Sequence, residues 1–193
     1  MRISKAILDL ISRRIVVTPR LISMALNVSL KQAQNALQYL ARTKKVKKIC
    51  WGYYTTFSDP KVIGCHIVPS YISFLSALSL WGVSTQVVTI YSLATTQRIS
   101  LSEKCLSNIG IRYIKIPRRA FLGYTWIKSS EGGIYFIAEP EKAIVDMIYI
   151  GQNVNSAAID WSRIETKKLL MYSKYFSKKM RRKIQVIVSK FSI

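Results

Sequence analysis

Three carboxylates and a lysine lie close together in the stretch AEPEKAIVDMIY, residues 138–149 of this 193-residue chain. Glu139, Glu141 and Asp146 are a third of its nine acidic residues, and Lys142 lies between them. Nucleases and other acid–base enzymes use clusters of this kind. A common metal-nuclease arrangement places an acid and a lysine two positions apart on a strand, so that both side chains point into one site.

The order of these residues instead favours a helix. Glu141 and Lys142 are adjacent, and Pro140 is unfavourable in a regular central strand. We predict that GGIYFIA forms a strand and that Pro140 lies in the first turn of the helix after it. The glutamates then stabilise the positive end of the helix dipole, and Lys142 forms an i, i+4 pair with Asp146. We therefore interpret the stretch as structural rather than catalytic.

No other pattern in the sequence predicts catalysis. The single histidine, His66, lacks a second histidine or a nearby acid with which to form a triad or a metal site. The glycines are scattered, and no Gly-rich phosphate loop ends in Gly-Lys-Ser/Thr. We expect a protein that is not an enzyme and that binds no metal or cofactor.

The three cysteines, Cys50, Cys65 and Cys105, do not have the short spacing of zinc or redox motifs. We expect all three to be reduced and structural. The N-terminal segment MRISKAILDLISRR has helical periodicity and lacks the long apolar region of a signal peptide. The chain is accordingly expected in the cytoplasm.

An uncharged interval between Lys61 and Arg98 raises the question of a membrane span. Its apolar part, YISFLSALSLWG, is well short of the roughly 20 residues that cross a bilayer. The β-branched segment VVTIYSLATT that follows is typical of a strand. We expect a buried helix followed by a core strand, and no membrane partner.

Positive charge dominates the composition, because 30 Lys and Arg residues against nine Asp and Glu residues give a net charge of +21. Such a surface favours a polyanionic partner, with nucleic acid first and an anionic membrane surface second. Residues 1–57 carry eleven basic residues and one acid, residues 163–193 carry ten and one, and the middle is nearly neutral. The excess charge therefore lies at the two ends.

This distribution and the hydrophobic pattern predict an α+β protein of two domains. We expect a winged helix-turn-helix domain at residues 1–57 and a small α/β domain at residues 61–193, with SDP at 58–60 as the linker. The second domain ends in a basic tail of two helices, from about residue 160. The basic residues of the tail are expected to face solvent, with an extension of a DNA-binding surface as the alternative.

The first 57 residues predict three helices and a hairpin. Thr18 and Pro19 start a short second helix, and a third follows at about residues 30–43 with apolar positions spaced i, i+3, i+4, i+7. The basic segment TKKVKKICWGYYTTF, with a turn at Gly52, is typical of a hairpin.

The polar face of the third helix is chemically equipped for a DNA major groove. Gln and Asn side chains can bond bidentately to adenine and Arg to guanine, whereas hairpin lysines would bind phosphates without reading sequence. The residues expected to contact DNA are Ser29, Lys31, Gln32, Gln34, Asn35, Gln38, Arg42, Lys44, Lys45, Lys47, Lys48 and Tyr53. The alternatives are a solvated polar face and a winged helix that contacts only protein.

Four segments follow one another in the order PSYISFLSALSLWGV, VTIYSLATTQR, IRYIKIPRRAFLGY and AEPEKAIVDMIY. In this order the chain resembles the AbiEi antitoxin family of abortive-infection type IV toxin–antitoxin systems. The resemblance covers about residues 3–150 and, more weakly, the tail. Its most specific elements are SALSLWG at 76–82, TTQR at 95–98 and EPEKAIVD at 139–146.

The resemblance implies two roles. Members of the family carry an N-terminal winged helix that represses their own promoter and a C-terminal domain that counters a nucleotidyltransferase-like toxin, usually encoded nearby. They are not enzymes. By position, residues 31–42 and the hairpin lysines would touch DNA, and the EPEKAIVD helix would belong to the framework of the antitoxin domain.

Two functional hypotheses therefore stand. The first is a sequence-specific autorepressor with an antitoxin-like domain, whose partner is double-stranded DNA at its own promoter. The second is an antitoxin or protein-interaction module that neutralises a nucleotidyltransferase-like toxin, with DNA contact incidental.

Overall fold

The computed structural model describes residues 2–50, 52–154 and 157–191. The protein is a mixed α+β chain with two separate sheets, which confirms the predicted fold class at that level. We call residues 2–57 the N-terminal region and residues 58–191 the C-terminal region. Each contains its own cluster of buried apolar side chains.

The N-terminal region combines helices with a three-stranded antiparallel sheet of order β1-β3-β2. Its elements are α1 (Arg2–Arg13), β1 (Val16–Val17), α2 (Pro19–Leu26), α3 (Leu30–Arg42), β2 (Lys47–Cys50) and β3 (Tyr53–Thr55). The predicted helices and hairpin are thus confirmed. The two-residue strand β1 was not predicted, because a segment that short carries no periodicity.

Local signals in the sequence place these elements. The Thr18 hydroxyl accepts a hydrogen bond from the Leu21 amide at 3.2 Å, and Pro19 occupies the first turn of α2. Asn27 ends that helix in the left-handed conformation. Gly52 has a φ of +82°, which suits the tight turn between β2 and β3.

The C-terminal region is built around a five-stranded mixed sheet of order β6-β5-β4-β8-β7. Its strands are β4 (Ser70–Ile72), β5 (Tyr91–Thr95), β6 (Ile111–Lys115), β7 (Tyr124–Lys128) and β8 (Ile134–Ala138). Its helices are α4 (Pro60–Ile67), α5 (Phe74–Leu80), α6 (Glu103–Asn108), α7 (Pro140–Tyr149), α8 (Thr166–Ser173) and α9 (Lys178–Phe191), with short 3-10 helices at Arg118–Ala120 and Trp161–Arg163. Strand β4 pairs parallel to β8 and antiparallel to β5.

The strand GGIYFIA and the helix that begins at Pro140 lie where they were predicted, as β8 and α7, and the tail forms the two predicted helices α8 and α9. The helix predicted in YISFLSALSLWG is shorter than expected. Tyr71 and Ile72 belong to β4 instead, because aromatic and β-branched side chains suit a buried central strand, and both are fully buried.

The segment SDP begins a helix. The Asp59 carboxylate accepts a hydrogen bond from the Lys61 amide at 2.9 Å, and Pro60 is the first residue of α4. Its start lies against a hairpin of the sheet, because Glu131 accepts hydrogen bonds from the Ser58 and Asp59 amides at 2.7 and 3.2 Å. These contacts fix the start of α4 against the sheet, and Lys47 of the N-terminal region donates a hydrogen bond to the Ser58 hydroxyl.

A disulfide bond between Cys50 of β2 and Cys105 of α6 also joins the two regions. The prediction that all three cysteines are reduced is wrong for this pair, because the fold brings together two residues 55 positions apart in sequence. The third, Cys65, is a free and buried thiol.

Among the helices that the structure describes, none combines the length and the apolar character required to cross a bilayer.

Candidate functional site

Helix α3 has one buried face and one exposed face. Ala33, Leu37 and Leu40 are buried and pack against α1 and α2. Because these positions recur at helical spacing, the opposite side of α3 must face solvent. The sequence pattern alone thus fixes which side chains of α3 are available to a ligand.

Five polar side chains form a single row along that exposed side. The row consists of Lys31, Gln34, Asn35, Gln38 and Arg42, which are all exposed and follow the spacing i, i+3, i+4, i+7, i+11. Within the described part of the chain, none of the five forms a side-chain hydrogen bond or an ion pair. Their donors and acceptors are therefore free to bind another molecule.

Ser29 and Gln32 have a different role from the rest of the predicted contact residues. The Ser29 hydroxyl accepts a hydrogen bond from the Gln32 amide at 3.2 Å, and the Gln32 side-chain oxygen accepts one from the Ser29 amide at 3.0 Å. This reciprocal capping box starts α3. Both residues are exposed, but their polar atoms position the helix.

The hairpin that follows α3 presents a second set of polar side chains. Lys44 and Lys45 lie in the turn, Lys47 and Lys48 lie on β2, and all four are exposed. Lys47 donates a hydrogen bond to the Ser58 hydroxyl. Tyr53, on β3, is half-buried. The fold thus places all twelve predicted contact residues in one continuous part of the N-terminal region, from the start of α3 to β3.

This surface is electrostatically uncompensated. Asp9 is the one acid in residues 1–57. Ion pairs between described residues, with N···O distances up to 4.0 Å, involve Lys61, Lys142 and Lys168, and none involves a basic residue of the N-terminal region. Because no carboxylate neutralises the lysines, the surface attracts polyanions.

The charges of α7 have the opposite environment. Lys142 and Asp146 are fully buried, and they form the predicted i, i+4 ion pair inside the core. Asp146 also accepts hydrogen bonds from the Ser73 hydroxyl at 2.8 Å and the Tyr71 hydroxyl at 3.1 Å. Lys142 donates a further hydrogen bond to the Tyr71 oxygen at 2.8 Å.

Burial shifts the pKa values of this pair. It raises the pKa of Asp146 and lowers that of Lys142, and the ion pair and hydrogen bonds between them oppose both shifts. The partner of each group therefore favours its charged form. The pair has no solvent access, so it cannot receive a substrate.

The two glutamates at the start of α7 also have partners. Glu139 accepts a hydrogen bond from the Tyr172 hydroxyl at 3.0 Å, and Glu141 accepts one from the Glu165 amide at 2.9 Å. They therefore fasten α8 to α7. The predicted i, i+4 pair of Lys142 with Asp146 is confirmed, and the two glutamates make structural contacts with α8 and the residue before it.

His66 and Cys65 are both occupied by the fold. The His66 Nε2–H donates to the Ile134 carbonyl at 2.9 Å, and burial lowers the pKa of the ring. Burial raises the pKa of the Cys65 thiol to about 12. Among the described residues, no group of three or more His, Cys, Asp or Glu side chains could hold a metal ion.

Two sets of long-range contacts were not predicted from the sequence. These are the Cys50–Cys105 disulfide and the hydrogen bonds from residues 58 and 59 to Glu131. The residues that form these contacts are 55 to 73 positions apart in sequence, so no local sequence pattern predicts them.

Comparison with known proteins identifies a related fold. No family model matches the chain, and no curated protein matches it in sequence. The crystal structure of the RV2827C protein from Mycobacterium tuberculosis resembles it with a TM-score of 0.59 at 11% sequence identity, over 100% of this chain and 78% of that chain. At that identity the likeness shows a shared fold alone.

Proposed function

We propose that the protein is a sequence-specific regulator of transcription that binds double-stranded DNA through α3 and the β2–β3 hairpin. The observation that carries this proposal is the row of unpaired amide and cationic side chains on the exposed face of α3, adjacent to a hairpin with four exposed lysines. Such a combination supplies base-reading groups and phosphate-binding groups on neighbouring elements.

The topology of the N-terminal region supports a winged helix-turn-helix. Its order is α1-β1-α2-α3-β2-β3, and a tight turn at residues 27–29 joins α2 to α3. In helix-turn-helix proteins the second of two such helices enters the major groove, and α3 has that position. The β2–β3 hairpin then corresponds to the wing.

Helix α3 and the β2–β3 hairpin would make different contacts with DNA. Gln34, Asn35 and Gln38 can each bond bidentately to adenine, and Arg42 to guanine, with about 1–3 kcal/mol of discrimination for each good pair. The hairpin lysines neutralise phosphates and release counterions, which strengthens binding to all sequences equally. Specificity therefore comes from α3 and most of the salt dependence from the hairpin.

Fluorescence anisotropy tests the proposal. The full chain is titrated into a labelled fragment from upstream of its own gene and into a random fragment of equal length, at several salt concentrations. We expect tighter binding to the first fragment and a steep fall of affinity with salt for both. Equal affinities for the two fragments at every salt concentration would exclude sequence-specific regulation.

For the C-terminal region we propose an antitoxin-like role in the cytoplasm, without catalysis. This rests on the resemblance to the AbiEi family. The EPEKAIVD segment of this chain, which is part of that resemblance, lies in the buried helix α7. If a nucleotidyltransferase-like toxin is encoded beside this gene, co-expression of the full chain should restore growth to cells that express the toxin. Failure to restore growth at equal toxin levels would remove this role and leave the DNA-binding role standing.

A further inference from the structure

A groove of about 950 Å³ runs between α9 and the loop that follows α7. Its apolar lining comprises Ile148 and Val154 on one side and Val186 and Ile187 on the other. Val186 is 55% exposed, although β-branched apolar side chains usually lie inside a protein. Apolar surface is therefore open to a ligand along this groove.

Cations surround the apolar lining. Lys178, Lys179, Arg182, Lys183 and Lys190 project from α9 along the groove, and all five are exposed. The chain has no acidic residue after Glu165. In the described part of the chain, no carboxylate lies within ion-pair distance of these five cations. The groove thus combines an apolar floor with an uncompensated positive rim.

We propose that this groove binds an acidic amphipathic α-helix of a partner protein. The apolar face of such a helix would cover Val186 and Ile187, and its carboxylates would meet the cations of the rim. Helix α9 has 14 residues, so the groove is about 20 Å long, which suits three to four turns of a bound helix. This inference is independent of DNA binding by α3.

Charge complementarity selects this occupant over a second copy of the chain. Two molecules that each carry a net charge of +21 repel each other. The whole chain has only nine acidic residues, and those of α7 are engaged in the core. None of the helices in the described ranges could supply several carboxylates to a neighbouring groove.

The shape and the lining of the groove disfavour nucleic acid and membrane. None of the residues known to line the groove is aromatic, so nucleic-acid bases could not stack on the groove. Phosphate binding would also not bury the apolar side chain of Val186. The apolar residues Met180 and Ile184 of α9 are buried against the core, which leaves too little apolar surface on α9 for insertion into a bilayer.

The test uses synthetic peptides and the full chain. The probe is a 16-residue peptide with Leu at helical i, i+3, i+4, i+7 spacing and Glu on the opposite face, and its control is a scrambled peptide of identical composition. Binding is measured by fluorescence anisotropy in about 0.3 M salt, where simple charge attraction is screened. We expect the amphipathic peptide to bind at least tenfold more tightly than the scrambled peptide.

Matched variants locate the binding. Val186→Ser should weaken binding of the amphipathic peptide about tenfold, because it removes buried apolar contact. Val87→Ser makes the same change at a side chain that is 90% exposed outside the groove, and it should have no effect. Arg182→Glu with Lys183→Glu should abolish binding, whereas Lys167→Glu with Lys174→Glu changes the net charge equally and should preserve the preference for the amphipathic peptide.

Several outcomes would overturn the proposal. Equal binding of the two peptides would mean that charge alone attracts them, and equal effects of Val186→Ser and Val87→Ser would place the binding elsewhere. The groove would be assigned to nucleic acid if a single-stranded oligonucleotide displaced the peptide, phosphatidylglycerol vesicles did not, and Val186→Ser had no effect. Displacement by the vesicles alone would assign it to a membrane surface.

Discussion

Helices α3 and α7 both carry a high density of polar and charged side chains, but they use them in opposite ways. In α7 the ion pair of Lys142 with Asp146 is fully buried, and Asp146 also accepts hydrogen bonds from the hydroxyls of Tyr71 and Ser73. In α3 the polar row is exposed, and no described residue satisfies it. Burial and partners, rather than the density of charge in the sequence, separate the structural cluster from the candidate binding surface.

The difference has an energetic basis. A buried charge that loses its partner keeps its desolvation cost, so such a pair is sensitive to the removal of either member. An exposed side chain is already solvated, so its removal has little effect on folding and a larger effect on binding. Substitutions in α7 should therefore act on stability, and substitutions in α3 and the hairpin should act on DNA affinity.

The largest expected effect follows the loss of a charge from α7. Lys142→Met leaves Asp146 buried without its cation and should lower the free energy of unfolding by about 3–5 kcal/mol. Urea unfolding followed by circular dichroism measures this change. Lys142→Met with Asp146→Leu removes both charges and should recover most of the loss. A double variant that is less stable than Lys142→Met would contradict the expectation that the unpaired buried charge of Asp146 causes the loss.

The disulfide between the regions should have an effect of similar size. Its chain-entropy contribution for a loop of 55 residues is about 4 kcal/mol, so Cys105→Ser should unfold at a lower urea concentration than the wild type. Cys65→Ala is the matched control, because Cys65 is not bonded. Addition of dithiothreitol should destabilise the wild type and leave Cys105→Ser unchanged. Equal sensitivity of both proteins to the reductant would contradict the pairing of Cys50 with Cys105.

Removal of hairpin lysines should have a moderate effect that is confined to DNA binding. Lys47→Ala with Lys48→Ala should reduce the slope of log affinity against log salt by about 2, because roughly one phosphate contact is lost for each lysine. The affinities for own-promoter and random DNA should fall by the same factor. Lys128→Ala, an exposed lysine on β7, is the control and should leave the slope unchanged. An unchanged slope in the double variant would place the phosphate contacts elsewhere.

The smallest expected effect concerns His66. Burial lowers its pKa in the folded state below the ordinary value, so the unfolded chain binds a proton more readily than the folded chain. The contribution of His66 to stability should therefore be constant above about pH 6.5 and decrease as the pH falls below that value. His66→Gln keeps a donor for the Ile134 carbonyl and should remove this decrease. Urea unfolding at pH 7.5 and pH 5.5 provides the comparison, and an equal loss in both proteins would exclude His66 as its source.

Much of the fold could be predicted because local chemistry specifies it. Thr18, Ser29 and Pro140 each mark a helix start, and the structure begins α2, α3 and α7 at these signals. The start of α4 at Asp59 and Pro60 uses the same chemistry, but the sequence was interpreted there as a linker. A Ser-Asp-Pro segment is compatible with either, and only packing against the sheet decides between them.

The environment of the candidate site and of α7 could be predicted only in part. Helical periodicity was sufficient to assign the exposed face of α3, since Ala33, Leu37 and Leu40 follow the spacing i, i+4, i+7. Periodicity could not show that Lys142 is buried, because its partner Tyr71 is 71 positions away. The Cys50–Cys105 bond depends on tertiary contact for the same reason. Contacts between residues that are far apart in sequence therefore cannot be predicted from local sequence patterns.

The preference for own-promoter DNA over random DNA in a Gln34→Ala, Gln38→Ala variant is the most direct test of the claim that α3 reads sequence. Each substitution should cost about 1–3 kcal/mol on the own-promoter fragment and leave affinity for random DNA unchanged. Glu141→Gln is the control in α7, and it should alter neither affinity. We predict that the preference for own-promoter DNA falls by about 2–6 kcal/mol in the double variant, the sum of the two losses, while Asn35 and Arg42 retain part of it. A ratio of the two Kd values that stays at the wild-type value, with folding intact, would contradict this prediction.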